Sequence, residues 1–135
     1  MMARRITSPK EQGYIALLSI LIIGAVALAI ALNLLLTGSD ASRSTLYGQQ
    51  SAQARSLAVA CAEEALQLMH DTTTFTGTNT LNIGQGSCSY TVANTGGSSR
   101  TIDTTATVGT VVRKIKIYAT ISSSSISITS WQEVG

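Results

Sequence analysis

Residues 14–36 form an apolar run, YIALLSILIIGAVALAIALNLLL, that contains neither a charged residue nor a proline. As a helix with a rise of about 1.5 Å per residue, the run is roughly 34 Å long, and the hydrocarbon core of a bilayer is about 30 Å thick. Because no water is present inside a bilayer to satisfy backbone groups, a lone span must be helical. We therefore predict that residues 14–36 form a transmembrane helix in contact with the lipid bilayer.

The residues before this run carry a net positive charge. They include Arg4, Arg5 and Lys10 but only one acid, Glu11. By the positive-inside rule, the N-terminus lies in the cytoplasm and everything after the run is delivered outside it. An ordinary secretory signal has a shorter apolar stretch that is followed by its cleavage site. Here the small residue Gly13 precedes the run, so cleavage beside it would leave the apolar helix on the mature protein.

A short charged leader that ends in glycine, an aromatic residue and a long apolar helix resemble the class III signal of type IV pilins and type II secretion pseudopilins. The resemblance implies that a prepilin peptidase cuts between Gly13 and Tyr14 and methylates the new amine of Tyr14. It also implies that inner-membrane pilus machinery assembles the chain with other pilin subunits through the helix. The resemblance extends to about Met69, and beyond that residue it concerns general architecture alone.

The fifth residue after the predicted cut departs from the pattern of major pilins. Most major pilins carry a glutamate there, which is thought to pair with the methylated amine of a neighbouring subunit, whereas this chain has Leu18. A carboxylate at membrane depth costs roughly 2.5–3.5 kcal/mol on insertion scales and is expected to be functional where it occurs. Leu18 avoids this cost and cannot form the pair. The likeness is therefore closer to minor pilins and tip-type pseudopilins, which implies a minor, tip or initiating subunit of an extracellular filament.

Residues 37–71 predict an amphipathic continuation of the helix. Gly38 allows two alternatives: a break followed by a second helix capped by Ser39 or Asp40, or an uninterrupted helix at a cost of about 1 kcal/mol relative to alanine. Helical periodicity resumes at once, which favours the uninterrupted helix. The predicted apolar stripe recurs at spacings of three and four and consists of Leu46, Tyr47, Ala54, Leu57, Ala58, Cys61, Ala65, Leu68 and Met69.

Residues 72–135 predict a small antiparallel β-sheet. Residues 75–82 are rich in Thr, Gly and Asn and predict a loop, with a possible short strand at 81–83. Glycine- and serine-rich turns separate the further strand candidates, which are 87–93, 100–108, 111–122 and 126–131. Alternation of apolar and polar residues predicts one buried face. The helix stripe is the available cover, so we predict an α+β, pilin-like fold.

The chain contains two cysteines, Cys61 late in the helix and Cys88 at the start of a strand. On an exported protein an even count suggests a disulfide. The bond would close a loop of about 28 residues and stabilise the fold by about 3.5 kcal/mol on the chain-entropy model. The alternative is a pair of reduced, buried cysteines. Metal binding is disfavoured because His70 is the single histidine, and we predict no metal and no other cofactor.

Enzymatic side-chain patterns are not evident. Glu63 and Glu64 are adjacent and project about 100° apart around a helix, so they do not face one cleft as the paired carboxylates of a glycosidase do. His70 lacks an acid or cysteine at the spacing of a triad, and the dispersed aspartates show no calcium-loop spacing. We predict a structural protein and not an enzyme.

Two alternatives to the filament subunit remain open from the sequence. The first is an uncleaved, signal-anchored membrane protein that displays a small binding domain outside the cytoplasm. The second is a minor pilin that binds DNA through Arg100, Arg113, Lys114 and Lys116, although strand alternation places these residues on both faces and makes nucleic acid a disfavoured partner. Asn33, within the span, could bond to a neighbouring helix.

Overall fold

The computed structural model describes residues 9–123 and 125–135, with side chains described from Gly13 onward apart from position 124. One helix, α1 (Pro9–Asp71), precedes five strands: β1 (Gly77–Ile83), β2 (Gly86–Gly96), β3 (Ser99–Val108), β4 (Val111–Ser122) and β5 (Ser125–Val134). The chain divides into two compact units, one ending at Ser44 and one beginning at Thr45. The predicted leader, residues 1–13, lies largely outside the described residues.

Helix α1 passes through Gly38 without interruption, so the prediction of a continuous helix is confirmed. The helix ends at Asp71, as predicted. There the amide of Thr72 donates to the carbonyl of Leu68 at 2.8 Å, and the amide of Phe75 donates to the carbonyl of Thr72 at 2.9 Å. The β-branched residues after Asp71 are poor helix formers, which is consistent with an end at this point.

The five strands form one antiparallel meander in the order β1-β2-β3-β4-β5, and the predicted α+β fold class is confirmed. Strand β4 has its predicted bounds, whereas residues 77–80, predicted as loop, belong to β1. Local composition failed there because pairing with β2 supplies the missing stabilisation. The hydroxyls of Thr78 and Thr91 hydrogen-bond at 2.9 Å, and Asn79 pairs with Tyr90 across the strands.

The core lies between the sheet and the C-terminal part of α1. Small helix residues, including Ala58, Cys61 and Ala65, are fully buried and let the helix approach Ile102 and Ile117 of the sheet closely. The predicted stripe is wrong at its N-terminal end. Leu46 and Tyr47 are 52% and 57% exposed because the sheet covers α1 only farther along its length, where burial is complete from Ala54 onward at core positions.

The two faces of the sheet differ in character. One face packs on α1, and its side chains come from positions such as Tyr90, Ile102 and Ile117. Alternate positions project from the opposite face, which we call the outer face, and no element covers it within the described part of the chain. The outer face of β3 and β4 carries Thr101, Asp103, Thr105, Thr107, Val112, Lys114, Lys116, Tyr118 and Thr120.

Substitution of Gly86 by alanine tests how closely β2 is packed against β3 and α1. A Cβ atom at Gly86 would lie 2.8 Å from a methyl of Val108 and 2.9 Å from the carbonyl oxygen of Thr107, and it would also meet Leu57. Because the Thr107 oxygen belongs to the backbone, G86A should lower the free energy of unfolding by about 1–3 kcal/mol. Urea unfolding of the detergent-solubilised chain measures the change.

The matched control is G48A, because Gly48 lies in α1 and a Cβ there meets nothing within 4 Å. This variant should raise the free energy of unfolding by about 0.5–1 kcal/mol, since alanine is the better helix former. Equal stability of the two variants would contradict close packing of β3 and α1 around Gly86.

Candidate functional site: the exposed apolar helix

The apolar segment of α1, residues 14–36, is exposed along its whole length within its own unit. Its large apolar side chains range in exposure from 46% at Leu18 to 70% at Ile20 and Leu35. By length and composition this helix could cross a membrane. An exposed apolar surface of this extent is unusual for a soluble protein and marks contact with lipid or with other proteins.

The polar side chains within and beside this segment are bonded to the helix backbone. Ser19 donates to the carbonyl of Ile15, Asn33 donates to the carbonyl of Ala29, and Thr37 donates to the carbonyl of Asn33, each at 2.9 Å. Such bonds lower the cost of placing these groups in hydrocarbon. Asn33 therefore has a local partner for one of its donors, and its predicted bond to a neighbouring helix stays a prediction.

The predicted processing residues Gly13 and Tyr14 lie inside α1, which begins at Pro9. Gly13 is exposed, and a Cβ at this position would meet nothing within 4 Å. A side chain at position 13 would thus be tolerated by the fold. Tyr14 is 67% exposed and Leu18, at the fifth position of the predicted mature chain, is 46% exposed. The sequence has no carboxylate between Tyr14 and Leu18.

A disulfide joins Cys61 of α1 to Cys88 of β2, as the sequence predicts. Their Cα atoms are 6.2 Å apart, and both side chains are almost wholly buried. The bond links the helix covalently to the sheet across a sequence separation of 27. No thiol of this pair is left for metal binding or nucleophilic chemistry.

The four basic residues of the DNA-binding alternative do not share a surface. Arg100 and Arg113 lie on the sheet face that carries α1, whereas Lys114 and Lys116 project from the outer face. Arg100 is only 8% exposed and donates to the carbonyls of Gly97, Ser99 and Thr73. Its guanidinium ties the β2–β3 turn to the loop after α1, which is a structural role.

A polar cluster that the sequence did not predict joins α1 to β5. Glu133 of β5 lies 3.5 Å from the Nε atom of Arg55 and 3.7 Å from a terminal nitrogen of Arg113. Arg113 also donates to the hydroxyl of Ser51. These partly exposed ion pairs are each worth little, yet together they orient the end of β5 against the helix.

The remaining candidate residues, Glu63, Glu64 and His70, do not form a site with one another. Glu63 and Glu64 are exposed on α1. His70 lies 3.5 Å from its neighbour Asp71, and within the described residues no three His, Cys, Asp or Glu side chains are grouped as metal ligands. An open groove of about 420 Å³ between α1 and the β1–β2 turn carries no titratable side chain, since its lining is Ala52, Gln53, Ser56, Leu57, Ile83, Gly84, Gln85, Gly86 and Val108.

No protein-family model, no curated protein and no solved structure matches this chain. The likeness to pilins therefore stays a resemblance carried by Gly13, Tyr14 and the apolar helix that follows them. The structure itself establishes a long apolar helix, an antiparallel sheet packed on the C-terminal part of that helix, and a disulfide between the two.

Proposed function

We propose that this chain is a pilin-like structural subunit, processed after Gly13 and assembled through its N-terminal helix into a type IV pilus or a related secretion pseudopilus. The observation that carries the proposal is the charge-free segment 14–36, which is helical and exposed on every side. In the membrane, lipid covers this segment before assembly. In a filament, the corresponding segments of neighbouring subunits cover one another.

The part of α1 that follows the apolar segment supports a subunit with lateral neighbours. Residues 37–49 are exposed on all sides and include two glycines and several serines, which are poor helix formers. A short helical stretch that buries none of its side chains is marginal in water. Packing against the helices of other subunits would stabilise this stretch, whereas a solitary membrane anchor requires no such helix.

Leu18 favours a minor, tip or initiating subunit over a major one. In major pilins, the carboxylate at this position is thought to recruit each new subunit through the methylated amine. A subunit with leucine cannot pair in this way with the amine of a neighbour. It can still occupy a place in the filament where no such pair is required, as at the tip.

Substitution of Gly13 by phenylalanine tests the proposed processing. The peptidase of this signal class is expected to require the smallest side chain before the cut, so G13F should reduce the processed fraction by about tenfold or more. Because a side chain at Gly13 meets nothing within the fold, the structure of the chain should not change. Mass spectrometry of the intact protein from cells that contain a prepilin peptidase measures the outcome.

The matched control is G24F, which makes the same change at another open glycine of the apolar segment. This variant should be processed as the wild type is. Normal maturation of G13F would refute the proposed cut and favour an uncleaved signal anchor.

A further inference from the structure

The outer face of the sheet carries a basic and apolar patch on β4 and β5. Its large apolar side chains are markedly exposed: Val112 is 48%, Tyr118 is 41% and Val134 is 43% exposed. Lys114 is paired with Val134 across the strands and makes no ion pair within the described residues. We call this surface the sheet patch, and it consists of Val112, Lys114, Lys116, Tyr118 and Val134.

One of the two lysines is already partly engaged. Lys116 lies 3.4 Å from Asp103 of β3 and 5.9 Å from the centre of the Tyr118 ring. Asp103 is the acid on the outer faces of β3 and β4, so two lysines face one carboxylate there. The sheet patch therefore keeps a positive charge, located at Lys114.

The opposite surface of the same unit carries the complementary charge. Glu63 and Glu64 are exposed on the side of α1 that faces away from the sheet, and they form no ion pair in the described part of the chain. Val59 and Ala60, one turn earlier, are half-buried, and Val59 also packs against the core. We call this surface the helix patch, and it consists of Val59, Ala60, Glu63 and Glu64.

We propose that the sheet patch of one copy of this chain docks on the helix patch of a second copy, with Lys114 directed at Glu63 or Glu64. The proposal rests on the proposed function, because it names a contact by which subunits associate. Its observations are the charge complementarity of two outward surfaces and the exposed apolar side chains of the sheet patch. Exposed apolar patches with a charged rim are typical of protein interfaces.

The two patches differ from each other, so their contact is heterologous. A contact of this kind leaves one patch free on each end of a pair of copies, and further copies can add to form a ring or an open filament. Contact of the exposed side chains of Val112 and Tyr118 with the half-buried Ala60 would supply the burial. The charge pairs would fix the orientation and would weaken at high salt.

Zero-length carbodiimide cross-linking of the full chain in membranes of cells that produce it tests this contact. The reagent joins a lysine amine to a carboxylate only when the two are in contact. Within one copy the body of the sheet and helix separates Lys114 from Glu63 and Glu64, so a link between them must join two copies. We expect linked peptides of Lys114 with Glu63 or Glu64, with a yield that falls about tenfold in 1 M salt.

Charge reversal provides the matched variants. K114E alone, and E63K with E64K, should each abolish the link. The combination of all three substitutions should restore it, with the acid on β4 and the amine on α1. Asp40 and Asp71 are exposed carboxylates outside the helix patch and serve as internal controls.

The proposal is overturned if no covalent dimer forms, or if Lys114 links as often to Asp40 or Asp71 as to the helix patch. The N-terminal mass of the same sample separates this result from the proposed function. A cut N-terminus without the link removes this contact and leaves the filament subunit in place. A link on chains with an uncut N-terminus supports the contact and refutes the processed subunit.

Discussion

Replacement of Cys61 and Cys88 by alanine is expected to lower the free energy of unfolding by about 3.5 kcal/mol. The disulfide closes a loop with a sequence separation of 27, and its loss returns that conformational freedom to the unfolded chain. The effect is large because the core beneath it is small and α1 contributes mainly alanines to it. Urea unfolding, monitored through the single tryptophan, Trp131, measures the change.

Reduced wild-type protein is the control for this prediction. It lacks the covalent link and keeps both sulfur atoms, so its difference from the alanine variant gives the packing contribution alone. We expect most of the loss to appear in the reduced wild type. A loss below about 1 kcal/mol in both samples would show that the disulfide does not stabilise the helix on the sheet.

Substitution of Ile23 by aspartate is the second change with a large expected effect. Ile23 lies near the middle of the apolar segment and is 67% exposed. A carboxylate there costs about 2.5–3.5 kcal/mol on insertion scales, in addition to the lost contribution of isoleucine. I23D should therefore insert less well than the wild type, although the other Ile, Leu and Val residues of the segment still favour insertion. The fraction that resists alkaline extraction measures insertion.

Two variants serve as controls for I23D. I23A keeps an uncharged side chain at the same position and should insert as the wild type does. L46D places the same charge at an exposed position of α1 beyond the apolar segment and should also insert normally. If I23D resisted alkaline extraction no less than both controls, the assignment of residues 14–36 to the membrane would be contradicted.

Helix α1 could be predicted almost entirely from the sequence because its signals are local. The apolar run and the periodicity after Gly38 both favour helix, and the threonines that follow Asp71 mark its end. The sequence did not predict how much of α1 the sheet would bury. Leu46 and Tyr47 continue the apolar stripe, yet the sheet does not reach them. Periodicity shows which face of a helix is apolar but not how far along the helix the sheet extends.

In the sheet, too, the features set by local sequence could be predicted, and those set by contacts with distant residues could not. Alternation located β3 and β4 because each strand has one wet and one buried face. Strand β1 was mostly missed because its residues, GTNTLNI, favour a loop by composition and become a strand through pairing with β2. Whether a segment forms a strand depends on the strand it pairs with as much as on its own residues.

Among candidate site residues, the disulfide followed from cysteine count and export, and the structure contains it. The burial of Arg100 and the position of Glu133 between Arg55 and Arg113 could not be predicted. Both depend on the register that brings distant residues side by side, as when β4 and β5 place Ile115 opposite Glu133. The processing site at Gly13 is a matter of recognition by another protein and stays a prediction.

The most direct test of the filament-subunit assignment is the mass of the N-terminal peptide of the protein recovered from cells. We predict a peptide that begins with N-methylated Tyr14, which would establish prepilin processing and leave the apolar helix at the mature N-terminus. A peptide that still carries the residues from Met1 or Met2 to Gly13 would contradict the assignment. The chain would then be a signal-anchored membrane protein, and the filament proposal would be withdrawn.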